Sequence, residues 1–119
     1  MKTFPLLAPA GLPLGIPISS SGDGVSGPDL RSVTGATMSV LKPDRVTILT
    51  WIPSVVAAPG QVAITATDAM LRYTFTGTEL DAEGVWRVSW KLTLTGGTTW
   101  PMAPEDSTVF LVTDQFGLT

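Results

Sequence analysis

Acidic side chains offer the first candidate chemistry in this 119-residue sequence. Glu79, Asp81 and Glu83 occupy alternate positions, and Glu105 and Asp106 follow farther along the chain. Such carboxylates could bind Ca²⁺ through their oxygens, or two of them could serve as the acid and base of a glycosidase. The structural alternative is that they keep a loop solvated while Asp81 accepts hydrogen bonds from backbone amides. Because a chain of this length leaves little room for a substrate cleft, we expect the structural alternative, with no metal and no cofactor.

The four tryptophans are the second group of candidates, because sugar-binding modules stack aromatic rings against pyranose rings. Trp86 and Trp90 share the inward face of one predicted strand, so we expect them in the core. Trp51 and Trp100 are less constrained by this pattern. Trp100 stands in a predicted loop and is a candidate carbohydrate platform or interface anchor, because exposed tryptophan is enriched at binding hot spots.

Two absences limit the enzymatic chemistry of this chain. The sequence contains no cysteine, which excludes disulfides, thiolate nucleophiles, zinc–thiolate sites and iron–sulfur clusters. It also contains no histidine, so the commonest general base and the Ser-His-Asp triad are missing. No Gly-x-Ser-x-Gly elbow presents a serine as a nucleophile. We therefore predict that the protein is not an enzyme.

The charge of the chain is low and slightly acidic. A net charge of −3 and seven scattered Lys and Arg residues argue against nucleic-acid binding. Only 14% of the residues are charged, below the ~25% of typical soluble domains, as expected for a surface that neighbouring subunits cover. No apolar run reaches the ~20 residues of a membrane helix. Prolines within residues 4–18 would break the helix of a signal peptide, so we predict neither a membrane partner nor a leader.

Alternation of apolar and polar residues predicts the secondary structure. Residues 70–94 contain two alternating segments on either side of a short acidic corner, which is typical of strand, corner and strand. Shorter alternating segments precede and follow it, at residues 33–41, 61–67 and 107–113. The β-branched residues 45–52 also predict a strand, and residues 55–58 predict a brief apolar edge or connection. About seven short strands without intervening helices predict a single all-β sandwich with antiparallel pairing.

Residues 1–30 differ in composition from the rest of the chain. Prolines recur every fourth residue from Pro5 to Pro17, and a Ser- and Gly-rich piece follows. This spacing disfavours helix and central strand, so we predict an extended amino-terminal arm before a sandwich of residues 31–119. The alternative is a first edge strand at residues 16–19 preceded by a floppy end. The apolar side chains of the arm are the interface candidates, with Trp100 second: Leu6, Leu7, Leu12, Leu14, Ile16 and Ile18.

The acidic corner at residues 80–88 resembles the Asp-x-(Gly/Ala)-x-Tyr corner of immunoglobulin-like domains. Trp86 stands at the position of the corner aromatic, although it lacks the phenolic hydroxyl that makes the usual backbone hydrogen bond, and the inter-sheet cysteines are absent. Over residues 33–112, about two thirds of the chain, the order of motifs resembles immunoglobulin-like domains of tailed-phage virion proteins. Those motifs are Val-Thr-Gly-Ala-Thr at 33–37, Lys-Pro-Asp at 42–44, a strand bearing Tyr73, the corner and a final strand. The likeness is strongest to the amino-terminal domain of baseplate upper proteins and to small tail or neck accessory proteins.

This resemblance implies an immunoglobulin-like antiparallel β-sandwich that acts as a structural adaptor in the tail, baseplate or neck of a tailed bacteriophage. The implied partners are copies of the chain itself and other virion proteins, contacted through the arm and the sheet edges. The implied location is the virion, after synthesis in the cytoplasm of the host bacterium, and no catalytic residue is carried over. Two alternatives remain open: a carbohydrate-binding module for host adhesion, and a capsid decoration protein.

Overall fold

The computed structural model describes residues 2–101 and 108–113, and these residues form β-strands with one short 3-10 helix at Leu30–Ser32. The prediction of an all-β protein is confirmed. The predicted strand at residues 61–67 is wrong, because these residues turn into β6, with the Thr65 N–H donating to the carbonyl of Asp68. In chain order the strands are β1 (Lys2–Pro5), β2 (Pro13–Ser19), β3 (Val33–Leu41), β4 (Ile48–Trp51), β5 (Ser54–Val56), β6 (Asp68–Thr74), β7 (Gly84–Leu94), β8 (Thr99–Pro101) and β9 (Thr108–Thr113).

The strands form two sheets. The larger sheet has the order β1-β9-β7-β3-β4, with β8 also paired to β7, and the smaller sheet has the order β2-β6-β5. All pairs are antiparallel except β1 with β9, where Lys2 lies opposite Phe110 in a parallel register. The larger sheet is therefore mixed, which corrects the expectation of purely antiparallel pairing at one edge.

One hydrophobic core lies between the two sheets. Along β7 the predicted inward residues Trp86, Val88, Trp90 and Leu92 are buried, and the residues between them are exposed. Six aromatic side chains from both sheets contact one another in this core, with separations of 4.7 to 6.3 Å between ring centroids: Phe4, Trp51, Tyr73, Phe75, Trp86 and Phe110. Edge-to-face and stacked contacts of this kind stabilise the fold beyond the burial of the rings alone. The aromatic cluster therefore holds the two sheets together.

The predicted arm is not a separate layer outside the sandwich. β2 pairs with β6 along its whole length and forms an edge of the smaller sheet. Pro13 and Pro17 are exposed there, and an edge strand tolerates proline because its outer N–H groups need no partner. The edge-strand alternative therefore describes this segment, although the strand begins three residues earlier than residues 16–19. β1, from the supposed floppy end, pairs with β9.

The corner between β6 and β7 is fixed by Trp86. Its indole Nε1 donates a hydrogen bond to the backbone carbonyl of Ala82, at 3.0 Å. The backbone hydrogen bond of the corner is thus made without a phenolic hydroxyl, because the indole N–H is itself a donor. The Lys42 ammonium lies 5.6 Å from the centroid of the Trp86 ring, within the range of a cation–π contact.

Candidate interaction surfaces

Three of the predicted interface residues lie in the core of the chain's own fold. Leu14, Ile16 and Ile18 are 0, 3 and 4% exposed, because alternate side chains of β2 point between the two sheets. A neighbouring subunit cannot reach these side chains in the folded protein. Their assignment to an interface is therefore wrong, and the reason is the pairing of β2 with β6.

The connection between β1 and β2 is held against the fold by its backbone. Leu6 N–H donates to the carbonyl of Thr113, at 2.8 Å, and Leu7 N–H donates to the carbonyl of Leu80, at 2.7 Å. Leu6 and Leu12 are half-buried and pack against the core. Among the six apolar interface candidates of the arm, Leu7 alone has an exposed side chain.

Among the described residues, four of the seven exposed large hydrophobic side chains lie elsewhere, on what we call the uncharged side (residues 46–67). These residues contain no Asp, Glu, Lys or Arg. They include β4 and β5, which are edge strands of the two sheets and are joined only by residues 52 and 53. Val46, Ile48 and Ile52 are 80, 67 and 68% exposed. Sheet edges are usually protected by charged residues or proline, and β4 and β5 contain neither, although Pro53 lies between them.

The geometry of β4 explains why these side chains face solvent. Leu49 and Trp51 point towards the core, where Trp51 stacks on Tyr73 with a centroid separation of 4.7 Å. Ile48 and Thr50 alternate with them and therefore point away from the core. Trp51, which the alternation of the sequence left less constrained than Trp86 and Trp90, is therefore buried. The uncharged side was not among the predicted interface residues, although its long stretch without charged residues is visible in the sequence.

The candidate carboxylates have structural partners. Glu79 Oε2 accepts hydrogen bonds from the Tyr73 hydroxyl, at 2.8 Å, and from Thr76 N–H, at 2.9 Å, while Oε1 also accepts from Gly77 N–H, at 3.1 Å. Burial alone would raise the pKa of Glu79, but the hydrogen bonds from Thr76 and Tyr73 outweigh it and lower the pKa to about 2. Glu79 is therefore an ionised clamp for the loop after β6.

Asp81 is the second acidic candidate that has a structural partner. Asp81 Oδ1 lies 2.6 Å from the Lys42 ammonium and forms an ion pair with it. Within residues 2–101 and 108–113, no group of three or more His, Cys, Asp or Glu side chains is arranged to hold a metal ion. Glu105 and Asp106 lie outside the described residues. The geometry of Glu79 and Asp81 thus favours the structural interpretation of this acidic stretch.

Trp100 lies on β8, opposite Leu92 of β7, rather than in a loop. It lines an open groove of about 320 Å³ together with a loop that we call the serine-rich loop (residues 20–28). The groove is lined by residues 18–21, residues 26–28, Leu30, Leu92 and residues 100–101. Trp100 is half-buried, whereas the other three tryptophans are buried.

The serine-rich loop is organised by Asp23. Its Oδ1 accepts hydrogen bonds from Val25 N–H and Ser26 N–H, at 2.8 and 3.0 Å, and its Oδ2 accepts from the Ser26 hydroxyl, at 2.9 Å. These bonds, led by the one from Val25, hold the pKa of Asp23 well below its usual range. This loop lies within the predicted arm of residues 1–30, although Asp flanked by Ser and Gly is typical of such turns.

A second groove, which we call the basic groove, lies between the β3–β4 turn and the start of β7. It has a volume of about 320 Å³ and is lined by residues 41–43, Arg45, residues 84–85 and Arg87. Asp44 shapes the turn, since its Oδ1 accepts from Val46 N–H and Thr47 N–H, both at 2.9 Å. Hydrogen bonds from the Thr47 side chain and backbone and from Val46 lower the pKa of Asp44 to about 2.

No protein-family model matches this chain, and a search of curated proteins also finds no match. Within the described part of the chain, no helix has the length and apolar character needed to cross a membrane. The functional assignment therefore depends on the geometry of the surfaces described above, together with the sequence resemblance.

Proposed function

We propose that the two sheets form an immunoglobulin-like sandwich. The order β2-β6-β5 corresponds to strands B, E and D of that fold, and β4-β3-β7-β9 corresponds to C′, C, F and G. Trp86 supports this assignment, because it stands near the start of β7 and donates to the backbone four residues upstream. A corner tyrosine of immunoglobulin-like domains occupies the equivalent place near the start of strand F.

We infer that the protein is a non-enzymatic structural protein of a tailed-phage virion, an adaptor in the tail, baseplate or neck. The observation that carries this proposal is the uncharged side, where two unprotected sheet edges and exposed isoleucines lie together. Interface cores are depleted of charged residues, and edge strands pair readily with other chains. Weak contacts of this kind become effective when symmetry repeats them in a ring.

The proposal places assembly on the sheet edges rather than on the amino-terminal segment. Leu14, Ile16 and Ile18 are used within the fold, so they are not available to a partner. A capsid decoration protein of the same fold would use the same kind of surface on a different ring of subunits. The proposal therefore concerns the type of contact and the partner class of virion proteins.

The first test is the mass of the purified full-length protein, measured by light scattering over a range of concentrations. We expect an oligomer that dissociates in the variant Ile48→Lys/Ile52→Lys, because two charges would then lie at the open edge. The matched control is Val25→Lys, which adds a charge at an exposed apolar residue of the serine-rich loop. A full-length chain that stays monomeric at high concentration would exclude self-assembly. The partner would then be sought among other virion proteins.

The Trp100 groove favours carbohydrate binding as a second candidate function. Trp100 is the half-buried tryptophan beside the serine hydroxyls, while Trp51, Trp86 and Trp90 are buried. A change in tryptophan fluorescence on adding a glycan should therefore report on Trp100. We would titrate a glycan panel and repeat any positive titration with Trp100→Phe and Trp100→Ala. Binding that survives both substitutions, or the absence of any response, would exclude this function at the groove.

A further inference from the structure

The basic groove gathers three of the seven Lys and Arg residues of the chain. Lys42 is already engaged, by the ion pair with Asp81 and by the Trp86 ring. Arg45 and Arg87 are exposed, and neither has an ion pair or a side-chain hydrogen bond among the described residues. No lining residue carries a carboxylate. Two guanidinium groups thus border one groove without an acidic partner there.

Both walls of the groove have a defined backbone. Arg45 adopts a left-handed backbone conformation with φ of 63°. This conformation costs most residues other than Gly, Asn and Asp roughly 1 kcal/mol. The wall opposite includes Gly84, where a Cβ would lie 2.8 Å from the Cβ of Pro43, so the close approach of β7 to the turn needs glycine. Arginine thus occupies a turn position that favours glycine, and backbone strain of this kind is concentrated at functional sites.

We propose that the basic groove binds an acidic peptide segment of a partner protein, with its carboxylates flanked by apolar side chains. Guanidinium groups match carboxylates in charge and in planar geometry. Leu41 and Val85 give the same groove apolar lining beside Arg45 and Arg87. Its volume is near the lower limit of ligand pockets and fits a segment of about two or three residues. This inference is independent of the proposed self-assembly, which uses residues 46–67.

The test is an NMR titration of the isotope-labelled full-length protein with the tripeptide Glu-Leu-Glu, acetylated and amidated at its ends. We expect chemical-shift changes confined to residues 41–45 and 84–87, and binding that weakens with salt because the contact is electrostatic. The matched probe is Gln-Leu-Gln with the same end groups, which should not bind. Inorganic phosphate is the third probe, because it offers negative charge without a peptide.

Three variants assign the binding to the groove. Arg45→Gly removes one cation and suits the left-handed backbone, so a loss of binding cannot be attributed to a broken turn. Arg87→Gln removes the second cation from an exposed strand position. Each should weaken peptide binding roughly fivefold, the effect of about 1 kcal/mol. Arg72→Gln, which alters an exposed arginine of β6 outside the groove, should leave binding unchanged.

Several outcomes would overturn the inference. They are the absence of binding by Glu-Leu-Glu, equal binding of Gln-Leu-Gln, unaltered affinity in both groove variants, or tighter binding of phosphate that displaces the peptide. The last result would identify a phosphate site instead. Thermal unfolding of each variant verifies that it is folded. The mass measured for Ile48→Lys/Ile52→Lys tests self-assembly separately, so either proposal can fail without the other.

Discussion

Two long stretches of this chain lack charged residues, and the fold treats them in opposite ways. Residues 3–22 contain no Asp, Glu, Lys or Arg, and neither do residues 46–67. The first stretch contributes Phe4, Leu14 and Ile16 to the core, and backbone hydrogen bonds hold it against the rest of the fold. The second stretch leaves Ile48 and Ile52 exposed beside an open sheet edge. A stretch without charged residues thus indicates apolar side chains that become buried. The chain's own core buries those of the first stretch, and a partner is proposed to bury those of the second.

The protection of the edges shows the same contrast. β2 carries prolines on its exposed face, and proline lacks the N–H that another strand would need. β4 has no proline and no charge, and its outward face presents Ile48 and Thr50. A protein that stayed alone in solution would gain little from such an edge. The difference between the two edges therefore supports the proposed assembly at β4.

Deleting residues 1–18 is the most severe test of this contrast. We expect the truncated chain to be unfolded, because it lacks β1 and nearly all of β2, together with Phe4, Leu14, Ile16 and Ile18 of the core. Circular dichroism and dispersion of the NMR amide signals would measure this. A folded truncation would show instead that the first stretch is dispensable and acts as an arm.

Leu14→Ala tests the burial of the first stretch by shortening a single side chain. Because Leu14 is fully buried, the substitution should lower the free energy of unfolding by about 2–5 kcal/mol. The measurement is denaturant unfolding, compared with the wild-type protein. A loss well under 1 kcal/mol would contradict the placement of β2 in the core.

Glu79→Gln tests the loop against which the first stretch docks, since Leu7 donates to the carbonyl of the neighbouring Leu80. The ionised Glu79 has a folded-state pKa of about 2, below its ordinary value of 4.5, so its contribution is complete above about pH 4.5 and is lost as the pH falls through about 2. We expect a loss of about 1–2 kcal/mol at pH 7, reduced by solvent screening. The difference from wild type should shrink on acidification between those two pH values.

Tyr73→Phe provides the companion measurement for that loop, because it removes a single hydrogen bond to Glu79. A loss of about 1 kcal/mol at pH 7 is expected. If acidification changed the free energy of unfolding of Glu79→Gln and of the wild type equally, the ionised Glu79 carboxylate would not stabilise this loop. Denaturant unfolding at several pH values gives all of these free energies.

Ile48→Thr tests the open edge and should have the smallest effect on the isolated domain. The side chain points away from the core, so we expect the free energy of unfolding to change by no more than about 0.5 kcal/mol. Unfolding is measured at a concentration where the chain is monomeric. A loss comparable to that of Leu14→Ala would mean that Ile48 is part of the domain's own core, and the contrast between the two stretches would be lost.

Much of the architecture could be predicted from the sequence. Period-two alternation placed Trp86, Val88 and Trp90 on one face of a strand, and the structure confirms that they are buried. The proline spacing of the first stretch was ambiguous, because polyproline geometry and an edge strand are both extended and both tolerate proline. The pairing of β2 with β6 resolved this ambiguity.

The functional surfaces depended far more on tertiary structure. Arg45 and Arg87 lie far apart in the sequence and border one groove because β3 pairs with β7, with Leu41 opposite Arg87. Trp100 likewise meets the serine-rich loop through the fold. The sequence by itself determined the all-β class, the inward face of β7 and the absence of charge from two stretches, since these follow from local residue order. It did not predict β1 or β8, and it placed a strand at residues 61–67 that does not form. The tertiary structure alone decided which stretch is buried, because burial depends on the strand that each segment pairs with.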